Sequence, residues 1–307
     1  MLDDVFKERR EEAPETPPPA APRRNRFLPT FLLLPLLLMI LLGLIVYLFG
    51  WLSFDRTGAL DLVDEIRASS GERRALAAFE LSRLESYSLP GADHDRFLRG
   101  IEELLREEAG RDARVRRSLA LTLGRMGDRS SLAVLLEAAE DSDPETEIYA
   151  LWALGNLGDS GALAMLTSHL EHEDAGIRKM AAFALGQLGD TRAIRPLRVA
   201  LQDATPDVTW NAAVALARLG DETCLPTLLP LLAGKIPRGM LSVTQEEDLR
   251  VTVIRSARSF RLGPARQALE RVASSDPSAR LRSEARLALE GKSPPPFGAA
   301  REVASPR

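Results

Sequence analysis

The chain has 307 residues, 40 Lys+Arg against 44 Asp+Glu, a net charge of −4 and one cysteine. That lone Cys224 excludes an intrachain disulfide framework and a cysteine-based structural zinc site, and it falls at an apolar position that reads as core. Setting aside 1–26 (six basic, six acidic residues) with Asp55 and Arg56 leaves 33 basic and 37 acidic residues from 57 onward, not the clustered basic surface that nucleic acid needs.

Residues 1–26 include APETPPPAAP, too rich in proline and too poor in aromatics to pack, and read as a disordered tail. The next stretch, 27–52, is FLPTFLLLPLLLMILLGLIVYLFGWL, 26 residues without a charge. A bilayer core of about 30 Å needs roughly 20 helical residues, so this run is expected to form one transmembrane helix, with Tyr47 and Trp51 as interfacial anchors. It is too long for a signal peptide, and no small-x-small site follows it. Arg23, Arg24 and Arg26 precede the run, and Arg56 is the only basic residue in the dozen positions after it. The positive-inside rule then keeps the N-terminus cytoplasmic and exports the rest. Arginine far outnumbers lysine, which is present only at positions 7, 179, 235 and 292; this suggests a GC-rich bacterial genome, hence an inner-membrane protein with a periplasmic domain.

Between 57 and 110, ALDLVDEIRAS, ERRALAAFELSRLE and DRFLRGIEELLREE read as the helices of an atypical N-terminal cap. A repeat then begins: LGRMGD, LGNLGD, LGQLGD and LARLGD start at 123, 154, 185 and 216, 31 residues apart. Leu132, Leu163, Ile194 and Leu225 keep the interval, as do Leu135, Leu166, Leu197 and Leu228. Each unit reads as two helices. In the third, Ile177, Ala181, Ala184, Leu185 and Leu188 share one helix face, Gly189 suits the left-handed position that stops the helix, and Asp190 can cap the next. Two short helices cannot bury an apolar face alone, so the units must stack into an all-α solenoid over 111–291.

IRKMAAFALGQLGDTRAIRPLRVAL, starting at Ile177, resembles the short HEAT repeat of the phycobilin-lyase-like class. A fifth unit, VTVIRSARSFRLGPARQALERV, departs from it, because Gly263 follows Gly220 by 43 residues. The extra residues, Ala233 to Asp248, predict a loop and an early helix start, with Thr244 and Glu247 spaced as a capping box. Such an insertion either lines a binding edge or is a tolerated surface loop. A closing helix in DPSARLRSEARLALEG and a disordered tail over 292–307 complete the chain.

Candidate chemistry is sparse. His94, His169 and His172 are the only histidines, and HLEHED at 169–174 places two on one helix face without a third ligand. Among HEAT-like enzymes, resemblance to deoxyhypusine hydroxylase implies His-Glu dyads before each Ala-Ala pair. This sequence has Arg117-Ser118, Ile148-Tyr149, Lys179-Met180 and Trp210-Asn211 there, none able to hold iron in that way. No phosphate-binding loop or nucleophile elbow is present. We therefore expect no catalytic residue, no cofactor and no metal.

The variable positions of the first helices carry a different signal. One gives Leu121, Trp152, Phe183 and Val214, one per unit, with Tyr149, Met180 and Trp210 beside them. Stacking aligns these residues along one surface, and contiguous exposed apolar area marks an interaction site. The resemblance implies that this face is the concave binding surface of such solenoids. The expected partner-binding residues are Tyr149, Trp152, Met180, Phe183, Trp210 and Val214. The protein then reads as a membrane-anchored adaptor for another protein, a membrane or envelope complex subunit, with a lyase-like or other enzyme subunit using the same groove as the alternative. Arg192, Arg195 and Arg198 read as a solvated face.

Overall fold

The structure, a computed structural model, describes residues 38–45, 58–84, 91–260 and 263–291. The chain divides into two compact units, Met1–Arg56 and Thr57–Arg307. In the first, residues 38–45 are helical with exposed side chains. The expectation of a membrane-anchored protein with an exported solenoid is corrected here: among the described residues, no helix is long and apolar enough to cross a membrane. Eight helical residues reach about 12 Å, well short of a bilayer core of about 30 Å. The rest of 27–52, and the tails 1–26 and 292–307, lie outside the described residues.

Among its described residues, the second unit is built of helices and connecting turns, with no strand. Its helices are α1 (Ala59–Ala68), α2 (Gly71–Arg83), α3 (Gly91–Glu107), α4 (Ala113–Met126), α5 (Leu132–Ala138), α6 (Pro144–Leu157) and α7 (Leu163–Ser168). They continue as α8 (Ala175–Leu188), α9 (Ile194–Ala200), α10 (Pro206–Arg218), α11 (Leu225–Leu232), α12 (Val243–Ala257), α13 (Pro264–Ser275) and α14 (Ala279–Leu289). The first helices of successive repeats, α4, α6, α8 and α10, pack side by side as an inner layer, which α2 extends at one end and α12 and α14 at the other. The second helices, α5, α7, α9 and α11, each pack against their own first helix or the next one.

Local chemistry sets the boundaries. Gly127, Gly158 and Gly189 stop α4, α6 and α8 with φ of 67°, 61° and 71°, where a Cβ would be strained. The aspartate after each glycine, at 128, 159 and 190, accepts the backbone N–H of Ser130, Gly161 and Arg192, opening a 3-10 turn before the second helix. Asp112, Asp143 and Asp174 cap the first helices in the same way.

The other glycine of each LGxxGD string has a tertiary role. A Cβ on Gly124 would lie 2.6 Å from Ala153 Cβ, one on Gly155 2.7 Å from Ala184 Cα, and one on Gly186 2.7 Å from Ala215 Cβ. The inner helices therefore touch through Gly-to-Ala contacts with no room for another carbon. The fourth unit has Ala217 at this position, where α10 faces the irregular α12.

A second rung crosses the loops. Arg116 donates Nε and Nη2 to Asp141 at 2.7 and 2.9 Å, and Nη1 to the Arg111 carbonyl at 2.8 Å. One repeat pair later, Arg178 donates to Asp203 at 2.8 and 3.1 Å, and to the His172 and Glu173 carbonyls at 2.8 Å each. Each guanidinium thus ties the loop before its helix to the loop after its repeat, with the planar fork satisfied by charge-assisted bonds. Arg250 and Asp276 form the corresponding pair near the C-terminal end.

The insertion resolves differently from its sequence reading. The capping box is Ser242 with Gln245, whose Oε1 accepts the Ser242 N–H at 2.9 Å, and not Thr244 with Glu247. Both strings fit the Ser/Thr-x-x-Glu/Gln pattern, and the extended backbone of Ser242, φ −69° and ψ 161°, places the cap at the earlier one. Gly263 does not end α12 either: its φ of 79° serves the turn ahead of Pro264.

Candidate functional site

Apolar side chains on the inner layer gather into two depressions. The N-terminal one, about 430 Å³, is walled by Leu76 and Phe79 of α2, Leu121 of α4 and Tyr149 of α6. Leu76, Phe79 and Tyr149 are 57, 50 and 36% exposed, a grouping of large apolar residues in contact with water that folding alone does not reward. The rim is charged but internally matched. Arg114 reaches Glu72 at 2.8 Å, and Arg117 holds Asp143 at 2.5 Å and also pairs with Glu145. The Arg117 guanidinium keeps the Asp143 carboxyl well below the usual carboxylate range, with Thr146 helping and burial opposing. The floor is thus apolar and the rim electrically closed at neutral pH.

The second depression, about 340 Å³, is lined by Trp152, Met180, Phe183 and Trp210, with Leu241 and Leu249 closing one side. Leu241 belongs to the insertion, so the segment that breaks the repeat also forms a wall here. Lys179 and Asp207 face each other at 3.7 Å on its rim. Trp152 is half-buried because its ring lies over Gly124, 2.7 Å from where a Cβ would stand.

Of the six residues expected to contact a partner, Trp152, Met180, Phe183 and Trp210 line one depression, and Tyr149 lines the other. Trp210 shows only an edge, at 9% exposure, and Val214 is buried at 5%. Val214 is thus part of the core and is corrected from the partner-facing set. It has the same register as Trp152 and Phe183, but its shorter side chain stays within the core. Leu76 and Phe79 were missed because their helix reads as a cap. Their three-residue spacing, off the face formed by Ala75, Ala78 and Leu81, was the available signal.

His169 and His172 cluster around Glu147 at the second repeat. His169 Nδ1 faces the Met165 carbonyl at 2.7 Å, and Nε2 faces the Ala139 carbonyl at 3.1 Å and Glu147 Oε1 at 3.2 Å. His172 accepts the Asp174 backbone N–H at Nδ1, 3.0 Å, which leaves its proton on Nε2, 3.7 Å from the same Glu147 oxygen. Glu147 is buried, which pushes its carboxyl pKa up against the two imidazoles. This donor pattern points the His172 Nε2 proton, not a lone pair, at the carboxylate. Among the described residues, no three His, Cys, Asp or Glu side chains are grouped to hold a metal ion.

Register explains the cluster. Glu147 lies 31 residues after Arg116 and 31 before Arg178, while His172 stands in the same way between Asp141 and Asp203. The second repeat therefore carries the loop-to-loop rung with its charges exchanged, and His169 replaces the alanines at 138 and 200. Elsewhere, His94 pairs with Asp128 at 3.1 Å. Arg192 and Arg198 are engaged by Asp190 and Asp221 at 2.6 and 2.5 Å. Cys224 is buried, donates to the Asp221 carbonyl at 3.0 Å, and burial pushes its pKa up to about 12.

A family model for HEAT repeats matches residues 99–182 and 165–238. These are HEAT repeats. A similar solved structure, the complex of CpcE and CpcF of phycocyanin lyase from Nostoc sp. PCC7120, is 21% identical with a TM-score of 0.55, over 74% of this chain and 85% of that one. Human deoxyhypusine hydroxylase in complex with glycerol aligns at 17% identity and a TM-score of 0.32, over 79% and 98% of the two chains. A designed armadillo repeat protein in complex with the peptide (KR)4 aligns at 17% and 0.41, over 76% and 98%. No curated protein sequence matches the chain. At 21% identity the likeness to the CpcE and CpcF complex establishes the helical-repeat fold alone, and a fold does not by itself determine function. The choice between enzyme and scaffold rests on the site.

Proposed function

We propose that this HEAT solenoid is a protein-binding scaffold that seats a partner along its inner-helix face. The observation that carries the reading is the pair of apolar depressions, built from Leu76, Phe79 and Tyr149 at one end and from Trp152, Met180, Phe183 and Trp210 in the middle. Aromatic and methionine side chains on a rigid helical platform are what the centre of a protein interface favours, because they exclude water from a large area at small entropic cost. Rim charges that are already paired add little binding energy and act to orient the partner.

The reading is tested by placing a photo-crosslinking residue at Phe79, at Tyr149 or, as an outer-layer control, at Arg195. One and the same polypeptide is expected from the first two positions and not from the third. Phe79→Asp with Tyr149→Asp should remove that product while leaving the thermal unfolding transition in place, since both side chains are exposed. Equal crosslinking from Arg195, or products unaffected by the two aspartates, would overturn the proposal.

A further inference from the structure

Where α10 meets α12, the inner layer opens into a cavity of about 1200 Å³. Four arginines line it: Arg218 at the end of α10, Arg255 and Arg258 at the end of α12, and Arg266 in α13. Glu290 is the one acidic residue among the described lining. Arg255 is held by Glu284 at 2.7 Å and Arg266 by Glu270 at 3.1 Å. Arg218 and Arg258 have no carboxylate partner among the described residues.

Arg218 donates to the Gln187 side-chain oxygen at 2.6 Å and lies 5.6 Å from the Phe183 ring centroid. Both contacts orient a guanidinium without neutralising it. Crowding by the surrounding protein draws its pKa down, although the side chain stays exposed to solvent. The hydroxyls of Thr252, Ser256 and Ser259 are spent on the carbonyls of Asp248, Thr252 and Ala217. The side-chain donors left to face the cavity are therefore guanidinium N–H groups and the Gln187 amide, and buried Phe260 and Leu269 supply an apolar wall.

We infer that this cavity takes carboxylate side chains from an acidic segment of the protein partner. The inference rests on the scaffold reading: Arg218 stacks on Phe183, which itself lines the central depression, so a chain leaving that depression meets the cavity next. Planar guanidinium forks match carboxylate geometry, and the volume accommodates several residues and not merely one ion.

The test is fluorescence anisotropy on the full chain with fluorescein-labelled octaglutamate, and with octalysine as control. Octaglutamate should bind with an affinity that falls as salt rises, octalysine should not, and Arg218→Met with Arg258→Met should weaken binding about tenfold. Both side chains are exposed, and circular dichroism verifies that the variant is folded. Failure of octaglutamate to bind, equal binding of octalysine, or indifference to the two substitutions would overturn the inference. So would inorganic phosphate displacing octaglutamate at equal concentration, which would make the cavity a small-anion site. The Phe79 and Tyr149 crosslinks do not depend on these arginines, so their persistence would show that only the cavity assignment had failed, and their loss would remove the scaffold reading.

Discussion

The inner layer contains two kinds of helix-to-helix interface. From α4 to α10, each glycine at 124, 155 and 186 meets the alanine of the next helix with no space for a Cβ, so backbones approach closely and the surface above them stays shallow. Between α10 and α12 the glycine is replaced by Ala217, the spacing is broken by the insertion, and the arginine-lined cavity opens. A solenoid is an approximate sum of nearest-neighbour contacts, so one altered interface changes the surface locally without disturbing the stack on either side. Regular packing supplies stiffness, and the irregular junction supplies depth.

The largest effect expected to sharpen this contrast comes from the loop rungs. Arg178→Ala leaves Asp203 with the Thr205 backbone N–H but no counter-charge, and leaves two loop carbonyls without a donor, at a mostly buried site; it should cost about 3 kcal/mol, measured by urea unfolding. Arg250→Ala should cost less, because Arg250 Nε already lacks a partner in its own rung. Equal losses would remove the distinction between the two ends of the stack.

Gly155→Ala comes next. Helix propensity alone predicts a gain of about 1 kcal/mol, yet the new Cβ would stand 2.7 Å from the Ala184 backbone, so a net loss of about 1 to 2 kcal/mol is expected. Stabilisation by this substitution would show that the interface has slack. Ala217→Gly should also destabilise, by about 1 kcal/mol or more, through helix propensity and the loss of a buried methyl group.

A smaller effect is expected from grafting the standard rung into the second repeat. Glu147→Arg alone leaves a cation facing two histidines, and His172→Asp alone leaves carboxylates facing each other. With His169→Ala added to both, the triple variant reproduces the Arg116–Asp141 arrangement. It should be more stable than either single variant, with a coupling of about 1 kcal/mol from the stability cycle. Additive losses would show that the exchanged charges have no common geometry with their neighbours.

The smallest expected effect is a difference in the sign of pH dependence. Two hydrogen bonds from Arg178 lower the Asp203 pKa below its ordinary 3.8, so this group contributes stability above that value and loses it as pH falls through the folded-state pKa. Burial raises the Glu147 pKa above its ordinary 4.5, so its contribution is full below that value and is lost as pH rises through the folded-state pKa. Between pH 3 and 7, the stability advantage of the unmodified protein over Asp203→Asn should shrink on acidification, while that over Glu147→Gln should grow. Slopes of the same sign would contradict the opposed roles of the two rungs.

The repeat itself was legible because its causes are local. A 31-residue interval, a glycine where φ must be positive, an aspartate where N–H groups need an acceptor and apolar residues at helical spacing together determine a two-helix unit, and such a unit must stack. The register that singles out Trp152, Met180 and Phe183 is also the one whose side chains line the central depression. Length and hydropathy over 27–52, by contrast, pointed to a membrane span that no described helix provides.

What the sequence could not decide depends on which neighbour a residue meets. Trp152 and Val214 occupy the same register position, yet one is half-buried and the other fully in the core. Arg116 with Asp141, Glu147 with His172 and Arg178 with Asp203 are 25 residues apart, and only stacked loops show that each is a pair and that the middle one is reversed. The cavity around Arg218 likewise exists only because four helices fail to close upon one another. Periodicity belongs to the chain, whereas exposure, pairing and empty space belong to the contacts between its turns.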